Sequence, residues 1–318
     1  VVPDCNLMSL LKSSLLEMRT LPFLRSQKSL PRRWSPMDSQ ISCSLMSRTK
    51  ELIVGFPHLI VSQKEVLQSL VTVVDKRLSS QLLPSSSSVP PDTELYQDEA
   101  GSSHGSLTIN RGLESSHIDF ILTSCLHLKL PNESVMNVVT LQGFVKPSTD
   151  APHFVFELIQ ISPSSFILVL DLTHRKDLIL FPEYLRCYYE DSPLEACRKR
   201  LYEKVPEAEP FTSSSLRVRC GMSPAGTMAL VKCDAPERIH EIISGCVTPI
   251  AEELFGTWID WLSNGTNLSA EERGVLEKRD YLIKNNVVEI DLAPKLPMIF
   301  GQQVGGRVIK VIRNVYGV

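Results

Sequence analysis

The chain has 318 residues, of which 43% are hydrophobic and 22% charged, and a formal net charge of −3, a composition that can bury a sizeable core. No apolar run approaches the roughly 18 to 20 residues that a membrane-crossing helix needs, which argues against a transmembrane protein. Eight cysteines form no CxxC pair, so they read as small buried hydrophobes in a reducing compartment, not as a zinc site or a disulfide framework.

The first 48 residues carry seven basic residues, three acidic ones and ten serines. That bias resembles an organelle transit peptide, with a disordered arm as the alternative. Their net +4 leaves −7 on residues 49–318, an acidic body that argues against nucleic acid as the main partner. The first residue is Val1, not Met, which points to a piece of a longer chain.

In chain order, Ser62-x-x-Glu65 has the form of a capping box, and Val66, Leu67, Leu70, Val73, Val74, Leu78 and Leu82 recur at helical spacing up to Pro84. A Ser- and Pro-rich loop covers 85–92. Strands are expected over 106–110, 117–129 and 136–145, then over 151–161 and 166–172, the last two joined by the four-residue connection Ser162-Pro163-Ser164-Ser165. Five strands in succession make an antiparallel meander, and no Gly-rich phosphate loop is present. Residues 182–200 read as one or two short helices ending in Arg198-Lys199-Arg200. Two further strands are expected over 215–220 and 227–233, joined by Gly221-Met222-Ser223-Pro224-Ala225-Gly226. Asp234-x-x-Glu237, Thr248-Pro249 and Ser269-x-x-Glu272 each begin a helix. Residues 287–292 read as extended, and Val304, Val308, Ile312 and Val315 mark a last amphipathic helix. The economical architecture is one α/β domain over 49–318, with the sheet in the middle and helices outside.

One residue stands out. Glu157 lies in the middle of Ala151-Pro152-His153-Phe154-Val155-Phe156-Glu157-Leu158-Ile159-Gln160-Ile161, a strand apolar on both faces. His153, Val155, Glu157 and Ile159 share one face, and Phe154, Phe156 and Leu158 share the other. A carboxylate there is either an anchor for a cation or backbone donors, or an acid lining a cavity, where burial raises its pKa and keeps a proton available near neutral pH. Cys125-x-His127 puts two metal-capable side chains on one strand face, too few for a zinc site, and no GxSxG elbow appears. Arg198-Lys199-Arg200 and Lys278-Arg279 are either solvated helix faces or docking points for an acidic partner.

An ordered set of motifs then becomes specific: Phe56-Pro57-His58-Leu59, Gln81-Leu82-Leu83-Pro84, Ser116-His117-Ile118-Asp119-Phe120, Ala151-Pro152 through Gln160, Asp171-Leu172-Thr173-His174-Arg175-Lys176-Asp177-Leu178, and Phe300-Gly301. With these the chain resembles the red chlorophyll catabolite reductases, relatives of the ferredoxin-dependent bilin reductases, over essentially all of residues 50–318. The resemblance implies a three-layer α/β/α sandwich around a central antiparallel sheet, with an open-chain tetrapyrrole bound between sheet and helices. It implies reduction of a methine-bridge double bond of red chlorophyll catabolite with single electrons from ferredoxin, no bound flavin or metal, and a chloroplast stromal location, so that residues 1–48 become a chloroplast transit peptide. Glu157 and Asp291 match the family's proton donors. His153, Met222 and Ser223 are expected at the substrate, the last two as pocket wall deciding which face of the double bond is protonated, with an ordinary connecting loop as the alternative. Arg175 and Lys176, or Arg198, Lys199 and Arg200, are candidates for the ferredoxin surface. Other chlorophyll-breakdown enzymes are expected partners, and the oligomeric state stays open, a homodimer included. Four places depart from the family pattern: Cys125 for Trp, His153 for Asn, Thr173 for Pro, and Pro294-Lys295-Leu296 just past Asp291. A non-catalytic tetrapyrrole-binding protein is the competing reading.

Overall fold

The computed structural model describes residues 45–83, 89–130, 134–263 and 268–318. The leader expected over 1–48 therefore lies outside the described residues except for its last four, which open helix α1 (Leu45–Gly55). Arg48 in that turn pairs with the buried Glu94 at 2.9 Å, tying the turn to the folded body.

Eight strands form one antiparallel sheet among the described residues: β1 (Leu95–Gln97), β2 (His104–Arg111), β3 (Ile118–Lys129), β4 (Val135–Val145), β5 (His153–Ser162), β6 (Ser165–Thr173), β7 (Ala208–Pro210) and β8 (Thr227–Lys232). Their order is β1-β2-β3-β4-β5-β6-β8-β7. The meander of five strands expected from the sequence is present as β2 to β6. The β5–β6 connection is tighter than expected, because Ser162 and Ser165 pair across the ladder and their hydroxyls hydrogen-bond at 2.6 Å, leaving only Pro163 and Ser164 in the turn.

Side-chain alternation divides the sheet's surroundings into two layers. One face presents Val139, Leu141, Phe154, Phe156, Leu158, Leu168, Leu170 and Val231 to α1, α2 (Val61–Leu78), α3 (Leu194–Lys204), α5 (Pro236–Ile242) and α6 (Thr248–Ser263). The helix α2 buries Val66, Leu67, Leu70, Val71, Val74 and Leu78, the stripe that its sequence spacing predicts. Trp258 of α6 reaches the sheet and donates to the Pro152 carbonyl at 2.8 Å, which pins the chain just before β5. The opposite face is covered by α7 (Ala270–Asn285), the helical turn 286–292 and α8 (Leu296–Tyr316), whose Val308, Ile309, Ile312 and Val315 pack on Leu107, Ile109, Phe120, Leu122 and Phe144. The three-layer sandwich expected from the sequence is the observed fold.

Several local expectations are corrected. Ser62 does not cap α2, which begins at Val61 with no side-chain cap at Ile60; the Gln63 and Lys64 amides bond to the Ile60 carbonyl, and Ser62 turns into the core. Residues 216–221 form a short helix, α4 (Leu216–Gly221), in place of the expected strand, because Ser215 is its N-cap and accepts from the Val218 amide. Thr248-Pro249 does stand at the start of α6, but as the continuation of a helical run and not as an N-cap after a loop. The chain runs helically from Pro236, and a widened π-type turn over 243–247 precedes Pro249, where proline supplies no amide for an ordinary helical bond. Residues 286–292 are also a π-type helical turn and not extended. Ser269 and Glu272 do form the expected capping box at the start of α7.

Candidate active site

Glu157 projects from β5 toward the layer of α7 and α8. On the same face lie its flanking half-buried neighbours Val155 and Ile159, with Thr140 opposite on β4 and Val169 opposite on β6. Gln142 donates from Nε2 to Glu157 Oε1 at 3.2 Å, and the Tyr316 hydroxyl, at the end of α8, donates to Gln142 Oε1 at 3.2 Å. The tyrosine thus fixes which end of the amide faces the acid. Burial pushes the Glu157 pKa up to about 7, and the nearby charge of Asp291 pushes the same way. Lys295 and the Gln142 hydrogen bond oppose it. The result is a carboxylic acid that holds its proton through a large part of the neutral range.

Asp291 comes from the turn 286–292, and its side chain is 48% exposed. Lys295, four residues on and almost fully buried, forms an ion pair with it. The close return of the chain here depends on two glycines. Gly301 has φ +78° and kinks the start of α8, a conformation natural to glycine, and a side chain on Gly305 would meet the Leu296 carbonyl at 2.5 Å. The two expected proton donors are therefore brought to one place by a strand and a helical turn, close enough that the charge of Asp291 is felt by Glu157.

The loop after α4 lies beside this group. Met222 packs on Ile167, Val169 and Leu230, the cluster on which Val155 and Ile159 also rest. Ser223 is buried and bonded to Asp171. Asp171 was not singled out in the sequence, yet it carries the same signal as Glu157: an acid inside an apolar strand.

The remaining expected residues fall elsewhere. His153 is fully buried. Its Nδ1 accepts from the Val145 amide at 3.2 Å and its Nε2 meets Asp280 Oδ1 at 3.1 Å, so both ring nitrogens are engaged in structural bonds. Burial lowers its pKa, despite the opposing charge of Asp280. Arg175 is 0% exposed, holding Asp280 through Nε at 2.8 Å and Nη2 at 2.5 Å and the carbonyls of Thr149 and Ala151 through Nη1. No docking partner can touch it in this arrangement. Lys176 is also largely enclosed, paired with Asp150 at 2.9 Å and Glu272 at 3.5 Å. Among the proposed docking residues, Lys199 is freely exposed at 65%, with Arg198 and Arg200 about half as exposed. A cavity of about 330 Å³ is lined by Asp150, Lys176, Phe181, Tyr184, Cys187 and Tyr188 among others, none of which belongs to the group around Glu157. Among the described residues, no three His, Cys, Asp or Glu side chains are grouped to hold a metal ion, and no helix is long and apolar enough to cross a membrane.

The profile of the red chlorophyll catabolite reductase (RCC reductase) family matches residues 62–314. The chain belongs to the red chlorophyll catabolite reductase family. It is 38% identical over 267 residues to "Red chlorophyll catabolite reductase, chloroplastic" of Arabidopsis thaliana, covering 83% of each chain. It is 38% identical over 263 residues to "Red chlorophyll catabolite reductase 1, chloroplastic" of Oryza sativa subsp. japonica, covering 81% of this chain and 79% of that one. Among solved structures, phytochromobilin synthase from tomato in complex with biliverdin shares the fold, with a TM-score of 0.59 at 18% identity over 80% of this chain and 83% of that one. As a member of the RCC reductase family the chain is an oxidoreductase of chlorophyll catabolite reduction. In this chain Glu157 and the turn bearing Asp291 lie on one side of the sheet, that of α7 and α8.

Proposed function

We propose that this protein reduces a methine-bridge double bond of red chlorophyll catabolite to give the primary fluorescent catabolite. Reduced ferredoxin supplies two electrons singly, Glu157 and Asp291 supply two protons, and the reaction takes place in the chloroplast stroma. The double bond gains one hydrogen at each carbon, so two electrons and two protons balance the step. The first electron leaves a radical on the pigment, and the protein's task is to hold that pigment and time its protonation. The observation that carries this reading is the acid of Glu157, half-buried on an otherwise apolar strand, beside a second carboxylate from a separate element. The raised pKa of Glu157, about 7, keeps its proton available near neutral pH, and the more exposed Asp291 connects the site to solvent. Met222 and Ser223 form the neighbouring wall, and the Arg198-Lys199-Arg200 surface receives ferredoxin.

The competing reading, a tetrapyrrole-binding protein without turnover, draws on one observation: the Asp291 carboxylate is held by Lys295, in the segment that departs from the family pattern. Anaerobic turnover of red chlorophyll catabolite with reduced ferredoxin separates the two. Fluorescent product from the parent, with a loss of about 100-fold or more in kcat for Glu157→Gln or Asp291→Asn at retained pigment binding, supports the reductase. Binding without product in the parent supports the binding protein.

A further inference from the structure

Asp171 is fully buried on β6, on the same sheet face as Glu157 and one diagonal step from it, since Val155 pairs with Asp171 while Glu157 pairs with Val169. The Ser223 amide donates to Asp171 Oδ2 at 2.9 Å and the Ser223 hydroxyl donates to Oδ1 at 2.5 Å. Each carboxylate oxygen is thereby occupied by the same residue. The loop curls tightly around this carboxylate. The Gly226 amide returns to the Ser223 carbonyl at 3.1 Å, and a side chain at Gly226 would lie 2.5 Å from Asp171 Oδ1 and 2.7 Å from its Cγ. Just before Ser223, Met222 ends α4, its amide bonded to the Val218 carbonyl at 3.1 Å, and its side chain joins the cluster that supports Val155 and Ile159.

We propose that Asp171 is a positioning residue for the tetrapyrrole pocket: by gripping both donors of Ser223 it fixes Met222 against the strand residues on either side of Glu157. A charged acceptor holding two donors is roughly twice as strong a tether as neutral hydrogen bonds, and the 222–226 loop has no strand pairing of its own. Asp171 does not reach the pigment, because both oxygens are taken and the loop encloses them. Its ionisable neighbour is Tyr189, whose hydroxyl is bonded to the Leu172 carbonyl. The purpose assigned to the wall rests on the reductase reading; the tether itself does not.

The test is a double-mutant cycle of Asp171→Asn, Ser223→Ala and the combination in the full chain. It is read as KM and kcat for red chlorophyll catabolite with reduced ferredoxin, pigment Kd, and hydrogen exchange over 222–226. Each single variant is expected to raise KM about tenfold with kcat within about threefold, and to speed exchange in the loop. The double variant is expected to be no worse than the poorer single, as for two residues acting through one contact. A fall in kcat at unchanged KM, additive losses, or unchanged KM and loop exchange in Ser223→Ala would each overturn the proposal. Ser223→Ala carries the test even if Asp171→Asn does not fold. If the wild type binds pigment without product, the reductase reading fails and the cycle is read in Kd. If the wild type turns over and only the cycle fails, the positioning role alone falls. A wild type that binds no linear tetrapyrrole overturns both.

Discussion

At the scale of single residues, the chemistry depends on what surrounds one carboxyl. A raised carboxyl pKa in the folded state favours the protonated form, so Glu157 weighs against folding as pH rises from its unfolded value toward and beyond about 7, and not below it. Glu157→Gln should therefore be more stable than the parent at pH 8, by an amount on the order of 1 to 2 kcal/mol, or a few degrees in Tm. Near pH 4 the gain should vanish. Thermal melts at the two pH values check this, and an equal Tm at pH 8 would mean that the acid is well solvated. The Gln142 hydrogen bond lowers the Glu157 pKa, so Gln142→Leu should move the alkaline fall in kcat to higher pH, as the acid keeps its proton longer. Tyr316→Phe, which frees the amide to rotate, should shift it the same way by less. A limb that stays put in both variants would show that the bond is not made during turnover. Glu157 was legible in the sequence because a lone acid between apolar neighbours is a mismatch anyone can see. Its partners were not, since Gln142 and Tyr316 come from 15 residues earlier and from the last helix, and nothing in their own neighbourhoods marks them.

At the scale of elements, the site depends on how α7 is docked, because that helix delivers the turn bearing Asp291. Asp280 of α7 enters the sheet layer and meets His153 and Arg175, and Lys284, one turn on, meets Asp119 at 2.5 Å. Burial would push the Asp280 carboxyl up, but His153 and the bidentate Arg175 guanidinium hold it well below the usual range. Asp280→Ala leaves a buried guanidinium without its counter-charge and should cost about 3 to 5 kcal/mol, measured by urea unfolding. A depressed carboxyl pKa contributes stability above the unfolded value that is lost as pH falls through the folded value. The variant and parent should therefore converge in stability only under strongly acidic conditions; a constant gap down to pH 2 would contradict the ionic account. The capping box of α7 and the apolar stripes of α2 and α8 were readable, because cap chemistry and a 3.6-residue period are local. Residues 215–220 and 287–292 were misread for the same physical reason as each other. In so short a run, Leu216, Val218 and Cys220 alternate as a strand would, and only the cap at Ser215 and the packing around the segment decide. His153 was expected at the substrate from its strand face, a correct inference about direction, but the strand alone could not reveal that Asp280 from α7 already occupies that end of the face.

At the scale of the molecule, the sheet separates two surfaces. Glu157 faces α7 and α8, whereas α3, which carries Arg198, Lys199 and Arg200, packs Leu194, Cys197 and Leu201 into the core on the other side. A donor docked on α3 would have the helix layer and the sheet between it and the pigment. The pigment could then exchange while the donor is bound. The body is acidic, and the basic cluster is partly neutralised by its own neighbours: Arg198 with Glu195 at 2.6 Å and Arg200 with Glu253 at 2.5 Å. Lys199 touches Glu195 only at 3.9 Å and should carry most of any attraction to an acidic protein. Lys199→Glu is therefore expected to raise the KM for ferredoxin several-fold at low ionic strength, to lose most of that effect above about 0.3 M salt, and to leave kcat at saturating ferredoxin intact, as for steering between exposed charges. On the proposed docking at α3, donor and pigment come from opposite sides, so the ferredoxin KM should also be the same at low and at saturating pigment. Steady-state titrations of ferredoxin at two salt concentrations and two pigment concentrations read all of this together. A salt-independent ferredoxin KM that ignores Lys199→Glu but changes with bound pigment would move the donor to the Glu157 side of the sheet, where it would share the pocket's mouth.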